Sequence, residues 1–337
     1  GSRANARLVQ IITMRGKVGK PIVTFSTNVT TSELRKKLDV NRAPVRFATS
    51  ETGPTQDIIQ APLVTTTVPV TRYDYQDYIF QTATGTDNNI SVSGGNEGTA
   101  YYTSLSYLNN QGIIKNTDFG RLSFRANLDQ KISNRAAFTA GFNYINSSAD
   151  EKPDANSFFS PLGAVTIISN HHDLFTRDAL GNLQAVGERG RVNPVSVIED
   201  IKQRQETNRI LANVGVKLFP VKNLMIDYKV GVDNTTQNGT TFVPPLQYNV
   251  STGNFGGGAS LDPTQNGYAS KANNTAFLLT NDLNATYEAK ISDKLSSTSQ
   301  VGFCYQYEKG TYTMLQGRGL APFVETGGGK CAFITSE

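Results

Sequence analysis

Tryptophan is absent from these 337 residues, and histidine, cysteine and methionine number two, two and three. Charged side chains make up 18% and the hydrophobic fraction is 38%, both below ordinary soluble usage. That composition argues against a coiled coil, a helical bundle and a highly charged disordered tail. No run of about 18 apolar residues occurs, so no transmembrane helix is expected, although alternating strands escape that test. Thirty-two basic residues stand against 28 acidic ones, and the longest basic block is Arg35-Lys36-Lys37. Nucleic-acid binding therefore gains little support. His171-His172-Asp173 is the one histidine cluster. Adjacent side chains on an extended chain point apart and no third spaced ligand follows, so it reads as a polar loop and not a metal site. Cys304 and Cys331 have neither CxxC nor zinc spacing, and the spacing does not argue for a disulfide. The glycine triplets at 256–258 and 327–329 lack the strand, helix and Lys-Ser/Thr of a phosphate loop. No GxSxG elbow and no paired-carboxylate motif stands out. An enzyme is not expected, and no cofactor is.

Uncharged polar residues fill the space that charge leaves. Asn and Thr together make roughly a fifth of the chain. Thr suits strands, and Asn suits turns and polar strand faces. The informative pattern is alternation with period two. From Leu224 to Asp233, Leu224, Ile226, Tyr228, Val230 and Val232 point one way, and Met225, Asp227, Lys229, Gly231 and Asp233 the other. Arg121 to Gln130 repeats it, with Leu122, Phe124, Ala126 and Leu128 against Arg121, Ser123, Arg125, Asn127 and Asp129. So do the stretches from Arg135, Phe277 and Val301. A strand between two different solvents needs this pattern. Each run has about ten residues or more, which is long for a soluble strand and matches a tilted bilayer crossing of roughly 9–11.

Strands are expected at Lys20–Thr30, Asp87–Gly95, Thr99–Asn109, Phe119–Gln130, Arg135–Ser147, Thr207–Phe219, Leu224–Thr235, Ala272–Glu288 and Leu295–Lys309, with a further one at Arg7–Met14. Short helices are expected at Tyr73–Phe80 and Ser157–Ile168. The stretch punctuated by Pro44, Pro54, Pro62 and Pro69 reads as loop. Short polar turns at 131–134, 221–223 and 291–294 alternate with long connections near 146–206 and 236–271. Short turns on one side with long loops on the other mark an outer-membrane barrel. The fold class is therefore all-β: an antiparallel transmembrane β-barrel, of which about nine strands are counted; that these are part of a larger barrel is what the family resemblance of particular runs implies.

Particular runs also resemble a family. GSRA at Gly1–Ala4, Ile11, Thr13 and RGKVGKP at Arg15–Pro21 resemble the end of the plug domain of SusC-like TonB-dependent transporters. DYQDYIFQTA at Asp74–Ala83 resembles that family's acidic-aromatic segment, with Tyr75 where Trp is usual. The unbroken stretch Asn88–Gln130 resembles its first barrel hairpins. Residues Asn5-Ala6-Arg7 and Met14 depart from the usual plug-end motif, and GGGKCAFITSE does not read like the closing strand. The resemblance implies an internal piece of such a protein, with plug end at 1–19 and barrel at 20–337. It implies an outer-membrane importer of oligosaccharide or peptide in a Gram-negative bacterium. A SusD-like surface lipoprotein would cap it, membrane lipid would surround it, and the TonB complex would act through a plug. The alternative is a passive porin-type or adhesin-like barrel without energy coupling.

Arg121, Arg125, Asp227 and Lys229 on the polar faces are candidate substrate contacts, although solvation of a wet interior and pairing with the plug weigh more. Phe158 and Phe159 could stack on sugar rings, with loop packing the stronger reading. Tyr101, Tyr102, Tyr107, Tyr144, Tyr228, Tyr305 and Tyr307 read as an interfacial girdle.

Overall fold

The computed structural model describes residues 14–51, 55–57, 66–154, 157, 159–177, 179, 181, 183, 191–245, 267–320 and 331–336. Ten strands form one antiparallel sheet, joined in the order β1-β5-β6-β7-β8-β9-β10-β11-β12-β13. They are β1 (Gly19–Ser32), β5 (Ala83–Gly95), β6 (Thr99–Gln111), β7 (Asp118–Ser133), β8 (Ala136–Asp150), β9 (Lys202–Val221), β10 (Leu224–Val243), β11 (Tyr268–Ser292), β12 (Leu295–Leu320) and β13 (Cys331–Ser336). From β5 to β13 each strand pairs with the next in sequence. The sheet is a meander with β1 and β13 at its edges, and the two edges are not joined to each other.

Nine of these strands fall where alternation puts them, and each of those begins or ends further out. The last four run 20, 20, 25 and 26 residues. At about 3.4 Å per residue, β12 is about 85 Å long, far more than the ~30 Å of a hydrocarbon core. The excess lies beyond the apolar band, where the outward face changes from Val and Phe to Asn and Thr. Alternation of polar with polar carries no hydropathy signal, so the expected ends were too short. β13 was not expected, and pairs only with Leu315–Leu320 of β12. The strand expected at Arg7–Met14 lies outside the described residues except for Met14, which is not in a strand.

Register fixes the two faces, because residues directly opposite across a pair share a face. One row reads Thr103, Ala126, Phe142, Ala212, Val232, Leu279, Tyr307 from β6 to β12. The row Ala100, Asp129, Thr139, Gly215, Lys229, Asp282, Cys304 lies on the other face. Val23 and Phe25 continue the apolar face on β1, and Ile90 and Val92 on β5. Tyr102 stands on the polar face, opposite Ser93 and Asn127.

The direction of the meander sorts the connections. The turns after Gly95, Ser133, Val221 and Ser292 all lie at one end, with two or three residues each. The connections 33–82, 112–117, 151–201 and 244–267 all lie at the other. A second sheet of order β3-β2-β4 sits within 33–82, from β2 (Val45–Ala48), β3 (Thr55–Gln56) and β4 (Thr66–Pro69). It corrects the reading of that stretch as loop. Strands of two to four residues are too short for periodicity to reveal, and Pro69 is tolerated because β4 is an edge.

Three short helices complete the loop end: α1 (Gln76–Ile79), α2 (Pro161–Ile167) and α3 (Pro194–Glu199). The first two lie inside the expected spans. α3 was missed, although Asn193 caps it by accepting from the Val195 N–H and Pro194 opens it, the usual start signal.

Candidate functional site: the inner face and its cap

The polar face carries the charges. Arg209 on β9 holds Asp233 on β10 with two hydrogen bonds, of 2.8 and 2.5 Å. This fork was missed because it depends on hairpin register, which only the two-residue turn at Lys222-Asn223 sets. Asp227 and Lys229, two apart on β10, are brought together at 3.2 Å. Asp227 is also opposite Lys217 on β9, and its second oxygen accepts no hydrogen bond among the described residues. Arg121 lies between Leu108 and Ser147, and Arg125 between Ser104 and Asn143. Neither forms an ion pair among the described residues. Three strand spacings, about 14 Å, separate them from the β10 pair. The four sequence candidates thus share a face without forming one pocket.

Residues 14–18 cross this same face near the turn end. The Met14 carbonyl accepts from the Asn127 amide at 2.7 Å. Arg15 pairs with Asp129 at 2.5 Å. Gly16 lies so close to β6 that a Cβ there would sit 2.2 Å from the Tyr101 backbone nitrogen. Only glycine allows that approach, so the segment is fixed by contact, hydrogen bond and charge at three successive residues.

At the loop end the connections fold together. Tyr75, Ile79, Ala164, Ile168, Leu174, Leu183, Val195 and Ile198 form a buried core, with Ile114 packed against it. It draws on the segments 33–82, 112–117 and 151–201, so these form one cap. A second cluster of Val192, Val197 and Ile201 takes in Phe159 and Val243, at the top of β10. Phe159 is therefore committed to loop packing; Phe158 lies outside the described residues. Tyr75 donates its hydroxyl to the Ser169 and His172 carbonyls. That is a structural use for the aromatic of the acidic-aromatic segment.

Several of the cap's charges are paired. Asp57 accepts from Arg72 at 2.6 and 3.2 Å and lies 3.2 Å from Arg46. The Arg72 hydrogen bonds hold its carboxyl below the usual range, against the opposing effect of burial. Arg46 also contacts the His171 ring, so His171 belongs to this arginine cluster. Among the described residues no group of three His, Cys, Asp or Glu could hold a metal ion. Burial, then the Glu199 carboxylate, push the Tyr78 phenol up to about 12, and burial lowers the Lys152 ammonium beneath the cap.

A one-sided apolar sheet, charged on its other face, crossed there by a segment near its turn end and capped at its loop end, has the form of a stretch of β-barrel wall. The chain is a homologue of SusC-type TonB-dependent receptors. It is 26% identical to "TonB-dependent receptor SusC" of Bacteroides thetaiotaomicron over 279 residues, 74% of this chain and 26% of that protein. It is 27% identical to "TonB-dependent receptor P3" of Formosa agariphila over 143 residues, 42% of this chain and 13% of that one. The chain thus spans about a quarter of the length of SusC. Among solved structures it matches the RagAB peptide importer in its closed-closed state, with a TM-score of 0.67 at 18% identity, over 96% of this chain and 39% of that one. The RagAB peptide transporter matches with the same score at 19% identity, over 96% and 40%. No family model matches.

Proposed function

We propose that the gene product containing this chain is an outer-membrane, TonB-dependent nutrient importer of a Gram-negative bacterium. Residues 1–19 would be the end of its plug and 20–337 the first part of its barrel. The observation that carries this is the docking of Met14–Val18 on the polar face, opposite the apolar band. A passive pore needs an inner wall but no segment fastened across it. The apolar face meets lipid. Arg121, Arg125, Asp227 and Lys229 line the conduit, where they hydrate it, pair with the plug and touch cargo. Turns at Ser133, Asn223 and Asp293 are periplasmic, and the cap around Asn170 is extracellular, where a SusD-like lipoprotein would deliver oligosaccharide or peptide. Transport draws its energy through TonB, so no residue here performs covalent catalysis.

Uptake by cells expressing the gene product, with and without a working TonB, tests this. Uptake should vanish without TonB, and uptake that persists would leave the passive porin. Cysteines at the exposed cap position 179 and at 293, introduced after replacing Cys304 and Cys331 with serine, test orientation in intact cells. Label at 179 alone is expected; label at 293 alone reverses it.

A further inference from the structure

The outward face of β7–β12 is charged only at its loop end. Below Leu122, Tyr144, Ile210, Phe277 and Tyr307 it holds no charged residue. Above them stand three acids, Asp118, Asp150 and Glu206, and four cations, Lys202, Arg204, Lys271 and Lys309. The two signs are sorted across the sheet. Asp118 on β7 lies directly opposite Asp150 on β8, and Arg204 on β9 holds Asp150 at 2.8 Å and Glu206 at 2.9 Å. The lysines extend the other way, to β11 and β12. Lys202 lies over the Phe242 ring at 5.9 Å, and Lys271 and Lys309 form no ion pair among the described residues. Between the lysines the outward positions of β10–β12 are Asn and Thr throughout, among them Thr236, Asn238, Asn273, Thr275, Thr311 and Thr313. The lysines also stand at different heights. Lys309 is two residues beyond Tyr307, Lys271 six beyond Phe277 and Lys202 eight beyond Ile210. At about 3.4 Å per residue and a strand tilt near 45°, they rise about 5, about 14 and about 19 Å above the apolar band. A phospholipid headgroup layer adds only about 5–8 Å on each side. It reaches Lys309 and ends below Lys271 and Lys202.

We propose that the outward face of β9–β12 above the band is a docking surface for a phosphorylated glycolipid, one whose anionic sugars stand well above its acyl chains. This rests on the outer-membrane reading above. Lys309 meets a phosphate at the base of the saccharide, as juxtamembrane lysines meet anionic headgroups. Lys271 and Lys202 meet anionic groups further out. The Asn and Thr side chains between them offer donors and acceptors to the intervening sugar hydroxyls. The surface is continuous with the lipid-facing band below it, so acyl chains and saccharide of one molecule lie along the same strands. The acids do not oppose this. Arg204 occupies Asp150 and Glu206, and Asp118 is four strand spacings, about 19 Å, from Lys271 in the same row. That is about twice the screening length at 0.1 M salt.

Native mass spectrometry of the purified whole gene product in detergent tests the surface. The probes are a lipopolysaccharide of lipid A and core sugars, the same molecule after enzymatic dephosphorylation, and phosphatidylglycerol. The phosphorylated glycolipid should bind best. The double variant Lys202→Gln/Lys271→Gln should weaken it about tenfold, and Lys202→Arg/Lys271→Arg should retain most of the affinity. Lys294→Gln, at the turn end, should bind like the parent, and all three should melt like the parent. Equal binding of the dephosphorylated glycolipid or of phosphatidylglycerol, an unchanged affinity in the glutamine double variant, or an equal loss in Lys294→Gln would each overturn the proposal. So would a parent dimer that the glutamine substitutions split without loss of lipid, which would make the face a contact between two copies of the chain. Uptake that persists without TonB would end the importer reading and leave this lipid contact standing; TonB-dependent uptake by a protein that does not select the phosphorylated glycolipid would do the reverse.

Discussion

On the sheet, Val301 and Phe303 are 76% and 67% exposed, while in the cap Ile79 and Leu174 are fully buried. Both regions take their apolar residues from one chain of modest hydrophobicity, and they place them in opposite environments. The sheet's buried groups are its backbone N–H and C=O, paired strand to strand, and its side chains face outward. The cap has little regular backbone pairing and closes over side chains instead. Each solution suits its solvent. In a bilayer an unpaired backbone group is costly and an exposed phenylalanine is not. In water the reverse holds, and a cap made of loops needs a core of its own to stay in one place.

The largest expected effect tests whether the cap is an independent unit. Leu174→Ala removes a fully buried side chain from the cap's main cluster and should cost the cap about 2–5 kcal/mol. Limited proteolysis of the assembled protein should then cut faster within 151–201, while the heat resistance of the barrel stays unchanged. Loss of barrel heat resistance with the cap would show that the two regions fold as one.

Next comes the sheet. Val230 and Lys229 are neighbours on β10 that face opposite sides. Val230→Arg places a charge in the middle of the apolar band and should cost roughly 2–4 kcal/mol, seen as reduced yield of assembled protein in outer-membrane fractions. Lys229→Ala should assemble normally. Equal tolerance of the two would mean that the faces are wrongly assigned.

These two regions also differ in how far residues alone reveal them. The alternation at Leu224–Asp233 arises from a contrast of two solvents, and a strand of that kind announces itself locally. So do its faces, which is why Arg121, Arg125, Asp227 and Lys229 were found on one side. The ion pairs on that face were less legible. Arg209 meets Asp233, and Arg15 meets Asp129 across 114 positions, because register and chain path bring them together. The cap was the least legible. Its core takes Ile79, Ile114, Leu174 and Ile198 from three connections, none of them with a periodic stretch long enough to read. Phe159 illustrates the difficulty, since an aromatic in a loop looks available to a ligand until the fold brings Val192 and Val243 against it.

A smaller effect is expected within the inner wall. The Arg209–Asp233 fork is well aligned, but both side chains are partly exposed, so water screens it. A double-mutant cycle with Arg209→Ala and Asp233→Asn should give a coupling of about 0.5–1 kcal/mol. High salt should reduce it. A coupling several times larger would mean that this part of the wall is dry, and would remove the contrast between a wet interior and a packed cap.

An effect of similar size is a pH dependence that the cap should show and the lipid contact of the sheet's apolar band should not. Asp57 is held below the ordinary carboxylate value of 3.8, chiefly by its hydrogen bonds from Arg72. A carboxyl with a depressed folded pKa contributes stability that is fully present above 3.8 and is lost as pH falls through the lower folded value. Acid should therefore loosen the cap, by roughly 1 kcal/mol for this partly exposed ion pair. The outward face of the band has no carboxylate from Leu224 to Val232 or from Val301 to Tyr307, so its lipid contact should not titrate. Protease sensitivity of residues 33–82, followed from pH 7 to pH 3, should rise at the acid end. Asp57→Asn should be more sensitive at neutral pH and flatter across the range, because the asparagine has no proton to take up. A parent protein whose cap resists protease equally at pH 7 and pH 3, or an Asp57→Asn variant with the parent's full acid response, would show that another carboxylate or none sets the cap's stability.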